Sequence, residues 1–318
     1  MSAGRGEGTP RRQWGRARRG PVAEEETRGG GTPRPRPDRE NRGPAAEERP
    51  PVTAWRAAFP FARIGFLNML AFRARYYVGV LTYLFNVAVY YFIWRAVFRS
   101  GGASIAGLTL EDMVTYVAVG WAIRSFYFNE IDRELGTQVQ EGKLAMNLIR
   151  PVDFQTVMIA DAAGQSAFRA VLFTLPISVV LALVFPLKSP ASALAAVLFL
   201  FSAATSFFLV AAINFLVGLL AIRSKSILGI LRAKYLLLEL LSGLLIPTTL
   251  FPEPLRSILL ASPFPHINFT PAALYLGKAQ GVDAARLLGL QVGWTAALLA
   301  AGQWAWQASR RRITIQGG

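Results

Sequence analysis

Between positions 76 and 306 the apolar residues gather into six long runs, separated by polar segments rich in Pro, Gly and charge. The runs cover residues 76–98, 110–128, 170–185, 192–222, 235–251 and 287–306. A helix rises about 1.5 Å per residue, so about 20 apolar residues cross about 30 Å of hydrocarbon. The pattern predicts an all-α integral membrane protein with six transmembrane helices. Run four would be about 46 Å long as a helix. One tilted helix that projects beyond the bilayer suits it better than two short crossings, which would invert every later loop against the charge pattern. Pro176 predicts a kink in the third helix. After run five, Pro252, Pro254, Pro263 and Pro265 cut the chain into apolar pieces too short to span. They predict short outer helices between spans five and six, at or dipping into the membrane surface.

Charge orients the runs. Short cytoplasmic loops collect Lys and Arg, and translocated loops lack them. Residues 53–75, the segments after runs two and four, and the tail after run six hold 15 basic residues; the other loops and span ends hold six. The pattern therefore places both termini in the cytoplasm and the protein in the cell membrane. Net charge is +15, with +4 of it in residues 1–52. The basic balance answers anionic lipid headgroups rather than nucleic acid, because 53% of the chain is hydrophobic. Residues 1–52, with 9 Gly and 8 Pro, read as a disordered cytoplasmic tail, and residues 53–318 as the membrane domain. The chain has no Cys and one His, which leaves no disulfide framework, thiol nucleophile or multi-histidine metal site. The first 50 residues lack the apolar core of a signal peptide.

Two polar segments carry further information. Aromatic and Arg residues around 53–75 predict an N-terminal interfacial helix that starts after Pro60. Between 129 and 155, Ile131, Leu135 and Val139 recur at one-turn spacing and form an apolar stripe. Glu130, Asp132, Glu134 and Glu141 fall off that stripe. This is a short cytoplasmic amphipathic helix ended by Gly142 or Gly136, and its acids suit either lipid-surface placement or docking of a partner. Thr109 and Asp112 form a capping arrangement for run two. Apart from Glu111 and Asp112 at the start of run two, Glu239 is the one acid inside a run. It serves either a structural ion pair with Lys234, sharing a face with Arg232, or a transport pathway. Ser202, Thr205, Ser206 and Asn214 read as glue between helices, and His266 as a local structural residue.

The segment Val139–Val152 resembles the stretch that follows the second span in ABC-2 type transporter permeases. Val139, Gly142, Leu144, Leu148, Arg150 and Pro151 carry the likeness. So do the Pro-rich stretch with Phe251, Pro254, Ile258, Pro263 and Pro271, and the Arg-rich ending at 311–318, which is similar to an uncharacterised permease-component branch. The resemblance covers about residues 54–318. It implies the transmembrane subunit of an exporter, whose coupling helix uses Glu130, Asp132, Glu134, Glu141, Gly142, Leu148, Arg150 and Pro151 to dock on a separate ATPase. It further implies two ATPase copies, which would bind ATP and Mg, and a second permease protomer, identical or related. The chain has no G-x-x-x-x-G-K-[ST], so no phosphate-cradling loop of its own. Arg124, Phe126, Tyr127, Tyr235 and Glu239 are the candidates for a substrate path, whose aromatic walls favour an amphipathic or hydrophobic cargo. A self-contained secondary transporter is the competing reading; it calls for internal repeats and midplane charges, which the sequence lacks. An intramembrane hydrolase built on Ser166 is a third, opposed by the placement of the only His on the other side.

Overall fold

The apolar runs fold as helices because a backbone in hydrocarbon has no water to satisfy its N–H and C=O groups. The computed structural model describes residues 54–71, 74–144, 152–222, 224 and 227–310, all within the unit Pro51–Gly318. The expected tail, Leu148, Arg150, Pro151 and the Arg-rich ending lie outside the described residues. In order, the elements are α1 (Ala54–Ala71), α2 (Ala74–Gly101), α3 (Leu110–Tyr127), α4 (Ile131–Gln140) and α5 (Phe154–Arg169). A π-helical turn (Ala170–Thr174) joins α5 to α6 (Leu175–Val184). Then follow α7 (Ala193–Leu219), α8 (Leu228–Leu241), α9 (Glu253–Ala261), α10 (Phe269–Tyr275) and α11 (Gly281–Arg310). Among the described residues there is no strand, only a bridge between Ile105 and Leu108.

Among the described residues, four stretches are long and apolar enough to cross a membrane: Leu81–Gly101, Phe154–Val184, Ala193–Ile222 and Gly281–Arg310. Helix α3, expected as span two, is 18 residues long and carries Glu111, Asp112 and Arg124. Its start is the capping box that the sequence predicts: Thr109 Oγ1 accepts from the Asp112 N–H at 3.2 Å, and Asp112 accepts from the Thr109 N–H at 3.1 Å.

Several boundaries differ from the sequence expectation. The third long helix begins at Phe154 rather than 170, because Asp153 caps it by accepting from the Thr156 N–H at 2.8 Å. Pro176 is absorbed by the π turn, in which the Leu175 N–H donates to the Ala170 carbonyl five residues back. The wider turn accommodates a proline that removes a donor and crowds the carbonyl behind it. Helix α1 runs through Pro60 instead of starting after it; packing along α5 offsets one missing hydrogen bond. Run five is not one helix. Helix α8 spans Leu228–Leu241 and stops where Gly243 takes φ +83°, a region that glycine enters without a Cβ clash. A 3-10 turn (Thr248–Leu250), α9 and α10 follow as the expected short pieces.

Loops collect at two ends. At one, Asp112 holds Lys188 at 2.7 Å and Lys278 at 2.9 Å, tying the start of α3 to the segments after α6 and α10. The Tyr275 hydroxyl also donates to the Lys188 carbonyl at 3.1 Å. At the other end lie α4, Asp153, Gln303 and the C-terminal half of α11. Helix α7 runs between them and packs on α3, α4, α10 and α11. Its buried Ser202 donates to Gln291 Oε1 of α11 at 2.7 Å, and Gln291 Nε2 donates to the His266 carbonyl at 2.8 Å. Ser202, Ser206 and Asn214 therefore act as the expected glue, whereas Thr205 bonds its own helix at Phe201. Leu81, Phe85, Phe92, Leu183, Leu194 and Val197 face outward, as lipid-facing side chains do.

Helices α1 and α5 meet backbone to backbone. A Cβ on Gly164 would overlap the Ala62 carbonyl, whereas one on Gly293 of α11 would meet open space. Gly164→Ala should destabilise the protein by about 1–3 kcal/mol through overpacking, seen as a lower unfolding temperature in detergent. Gly293→Ala should leave that temperature unchanged or raise it, since alanine is the better helix former by about 0.5–1 kcal/mol.

Candidate functional site

The amphipathic segment 129–141 folds as the sequence predicts, with a short turn and then α4. Ile131, Leu135 and Gly136 are buried and Val139 partly so, which makes the predicted stripe the packed face. Two glycines let α4 approach its neighbours closely. A Cβ on Gly218 of α7 would stand 3.0 Å from the Asp132 Cα, and one on Gly136 would stand 3.1 Å from Ile227.

Asp132 departs from the expected outward position. It is fully buried and ion-paired with Lys234 of α8, itself 7% exposed. Lys234 Nζ also donates to Asn214 Oδ1 of α7 at 2.8 Å. Asn214 Nδ2 in turn donates to the carbonyl and side-chain oxygens of Asn129, both at 2.9 Å. Lys234 sits 4.0 Å from the Tyr235 ring centre, a favourable place for a cation. One continuous polar chain thus links the α3–α4 turn to α7 and α8. The carbonyl of Phe128 in the same turn accepts from Arg169 of α5, which also donates to Ser166 at 3.0 Å.

The other acids of α4 face outward. Glu130 pairs with Arg133 at 2.8 Å and Glu141 with Lys143 at 2.7 Å, all four side chains about half exposed. Such pairs contribute about 0–1 kcal/mol and exchange partners readily. Glu134 accepts from Gln138 at 3.1 Å; lost hydration and the nearby Asp161 carboxylate raise its pKa above the ordinary glutamate value. Gly142 takes φ +69° just after α4, so it stops the helix by adopting a left-handed turn.

Further into the bundle, Glu239 pairs with Arg124 of α3 at 2.5 Å, not with Lys234. The physical reason is that Lys234 is already committed to Asp132. Arg124 also lies 5.5 Å from the Trp121 ring and 5.9 Å from the Phe128 ring. Of the path candidates, Arg124, Tyr127 and Tyr235 line a single cavity of about 20 Å³ together with Asn214 and Lys234. That volume takes about one water molecule. Glu239 reaches its edge through Arg124, while Phe126 points away and packs on Phe207 at 6.1 Å. The arrangement holds paired charges inside the bundle. It is not set up for nucleophilic chemistry: Ser166 bonds Arg169, whereas His266 bonds Thr270 and the Leu260 carbonyl. Among the described residues no group of three metal-ligating side chains occurs.

Sequence reasoning missed Arg169 and Asn129 and the inward role of Asp132. The one available signal was Asn214, an amide in an apolar run that needs a polar partner.

A helical bundle with several membrane-crossing helices and a buried charge chain under a short amphipathic helix defines a multi-pass membrane protein. Residues 84–317 match the family described as ABC-2 family transporter protein, and the chain belongs to it. Members of that family are transmembrane subunits without an ATPase of their own. No curated protein and no solved structure matches the chain.

Breaking the buried pair from one side should cost much more than removing both charges. Asp132→Asn leaves Lys234 as an uncompensated buried cation and should destabilise by about 3–5 kcal/mol. Asp132→Asn combined with Lys234→Met should recover most of that loss. Unfolding temperatures of Asp132→Asn, Lys234→Met and the double variant in one detergent provide the check; strictly additive losses would refute the coupling.

Proposed function

We propose that this chain is the permease subunit of an ATP-driven exporter and that α4 is its coupling helix for a separate ATPase. The observation that carries the proposal is the two-sided nature of α4. One face is locked to α7 and α8 through Gly218, Asp132, Lys234 and Asn214. The other presents Glu130, Glu134 and Glu141 to solvent. A force on the outer face therefore moves two helices of the bundle instead of bending a loop. ATP and Mg would be bound by the partner, whose basic residues the three acids would meet. The small cavity around Arg124, Tyr127 and Tyr235 lies directly inside this lever. It is the natural point at which a path for an amphipathic or hydrophobic cargo would open. One chain supplies one coupling helix, so a symmetric ATPase pair calls for two permease protomers, identical or related.

Six crossings follow if α3 and the broken α8 segment up to residue 251 count as spans. The grouping of loops supports this, since the segments after α2, α6 and α10 meet at the end opposite α4. Both termini then lie on the α4 side, in the cytoplasm, where the basic residues concentrate.

Reversing Glu134 and Glu141 to Lys should weaken ATPase copurification and transport-stimulated ATP hydrolysis at least tenfold, with unfolding temperature and membrane insertion unchanged. Unaltered copurification and unaltered ATP hydrolysis would overturn the coupling role of α4. For topology, cysteines placed at Ser104, Ser189 and Gln280 should react with an impermeant thiol reagent added to intact cells. Labelling of Ser189→Cys only after the cells are opened would reverse the orientation.

A further inference from the structure

At the end opposite α4, helix α9 stands away from α11 and leaves a cavity of about 560 Å³ between them, with α10 at its back. That is within the range of pockets that enclose small amphiphiles, about 300–1,000 Å³. Its wall is apolar: Leu260 of α9, Phe269 and Leu276 at the two ends of α10, and Leu287 and Leu290 of α11. Its inner end is polar, with Tyr116 and with the Thr249 hydroxyl, which is buried without a hydrogen-bond partner. Its rim is charged. Arg256, Lys278 and Arg286 face Glu253 and Asp283.

The cations are not equivalent. Lys278 is committed to Asp112 at 2.9 Å and to the Gly107 carbonyl at 3.1 Å. Arg256 has only a loose contact to Glu253 at 3.5 Å, and its side chain is 39% exposed where that of Glu253 is 75% exposed. Both side chains line the cavity, and that of Arg256 is the less exposed of the two. Among the described residues no ion pair engages Arg286. Two guanidinium groups with spare donors stand above an apolar slot that α11 borders along its lipid-facing length. Guanidinium groups bind phosphate oxygens through paired N–H donors.

We propose that this cavity is a binding site for an anionic phospholipid of the leaflet opposite α4, with its phosphate on Arg256 and Arg286 and its acyl chain against Leu260, Leu287 and Leu290. This site is separate from the coupling lever and independent of the exporter reading. Only the naming of that leaflet as the outer one rests on the topology proposed above.

The test uses the full chain in nanodiscs and native mass spectrometry of retained lipid. In discs containing phosphatidylglycerol and phosphatidylcholine, the protein should retain phosphatidylglycerol preferentially. Arg256→Gln with Arg286→Gln should reduce that retention at least tenfold. Leu287→Trp, which fills the slot without altering charge, should reduce it comparably. Unfolding temperatures in phosphatidylcholine discs should match the parent, which excludes misfolding as the cause. Soluble glycerol 3-phosphate should not compete with the lipid at millimolar concentration. Retention unchanged in both variants would overturn the proposal, as would competition by glycerol 3-phosphate, which would make this a site for a free anion. Because the discs present the lipid in both leaflets, an inverted topology leaves these outcomes unaffected.

Discussion

The buried ion pair between Asp132 and Lys234 is the constraint on which the arrangement of one end of the molecule depends. Two charges withdrawn from water are stable only with good geometry and further hydrogen bonds. Asn214 supplies a bond to Lys234 and passes the connection on to Asn129. Three helices and a turn must keep their relative positions for this chain to stay satisfied. Small residues at Gly136 and Gly218 make that possible by letting backbones approach where a side chain would hold them apart. The charges fix register, and the glycines permit the close approach that the charges need.

Much of the fold was legible because membrane folding rests on long, simple signals. Apolar length located α2, α7 and α11, and the Thr109 and Asp112 pattern located the start of α3. The apolar stripe of α4 was legible too, since Ile131, Leu135 and Val139 repeat at helical spacing. What one-dimensional pattern does not carry is the partner of a charge. Asp132 looks like its exposed neighbours in sequence, and Lys234 is 102 residues away. The same limit explains Glu239, whose partner Arg124 lies on another helix rather than one turn back. The form of the breaks inside apolar runs was hidden for a different reason. Gly243 and Pro176 change backbone geometry without changing hydropathy, so a run read as one span contains a stop, and a run read as kinked contains a π turn.

The two ends of the molecule use charge differently. Near α4 the decisive ions are buried and linked in series through Asn214. At the opposite end, Asp112 gathers Lys188 and Lys278 around a partly exposed first turn and pins three loops in place. The first arrangement is a buried chain across three helices, and the second is a partly exposed cluster across three loops.

The π turn at Ala170–Thr174 has a consequence for the long helix that contains it. An α-helix advances about 100° of azimuth per residue, and a π turn inserts one residue into that count. Before the turn, Ser166 and Arg169 point at the α3–α4 corner. Phe173 within the turn, and Ile177 and Leu181 beyond it, form the buried line. The turn acts as a phase shifter that lets one rod present separately chosen faces to two surroundings, polar protein below and apolar helices above. Chain length here is therefore information: losing a single residue would restore an ordinary helix and rotate the entire upper half, exchanging its buried line for the one that faces lipid.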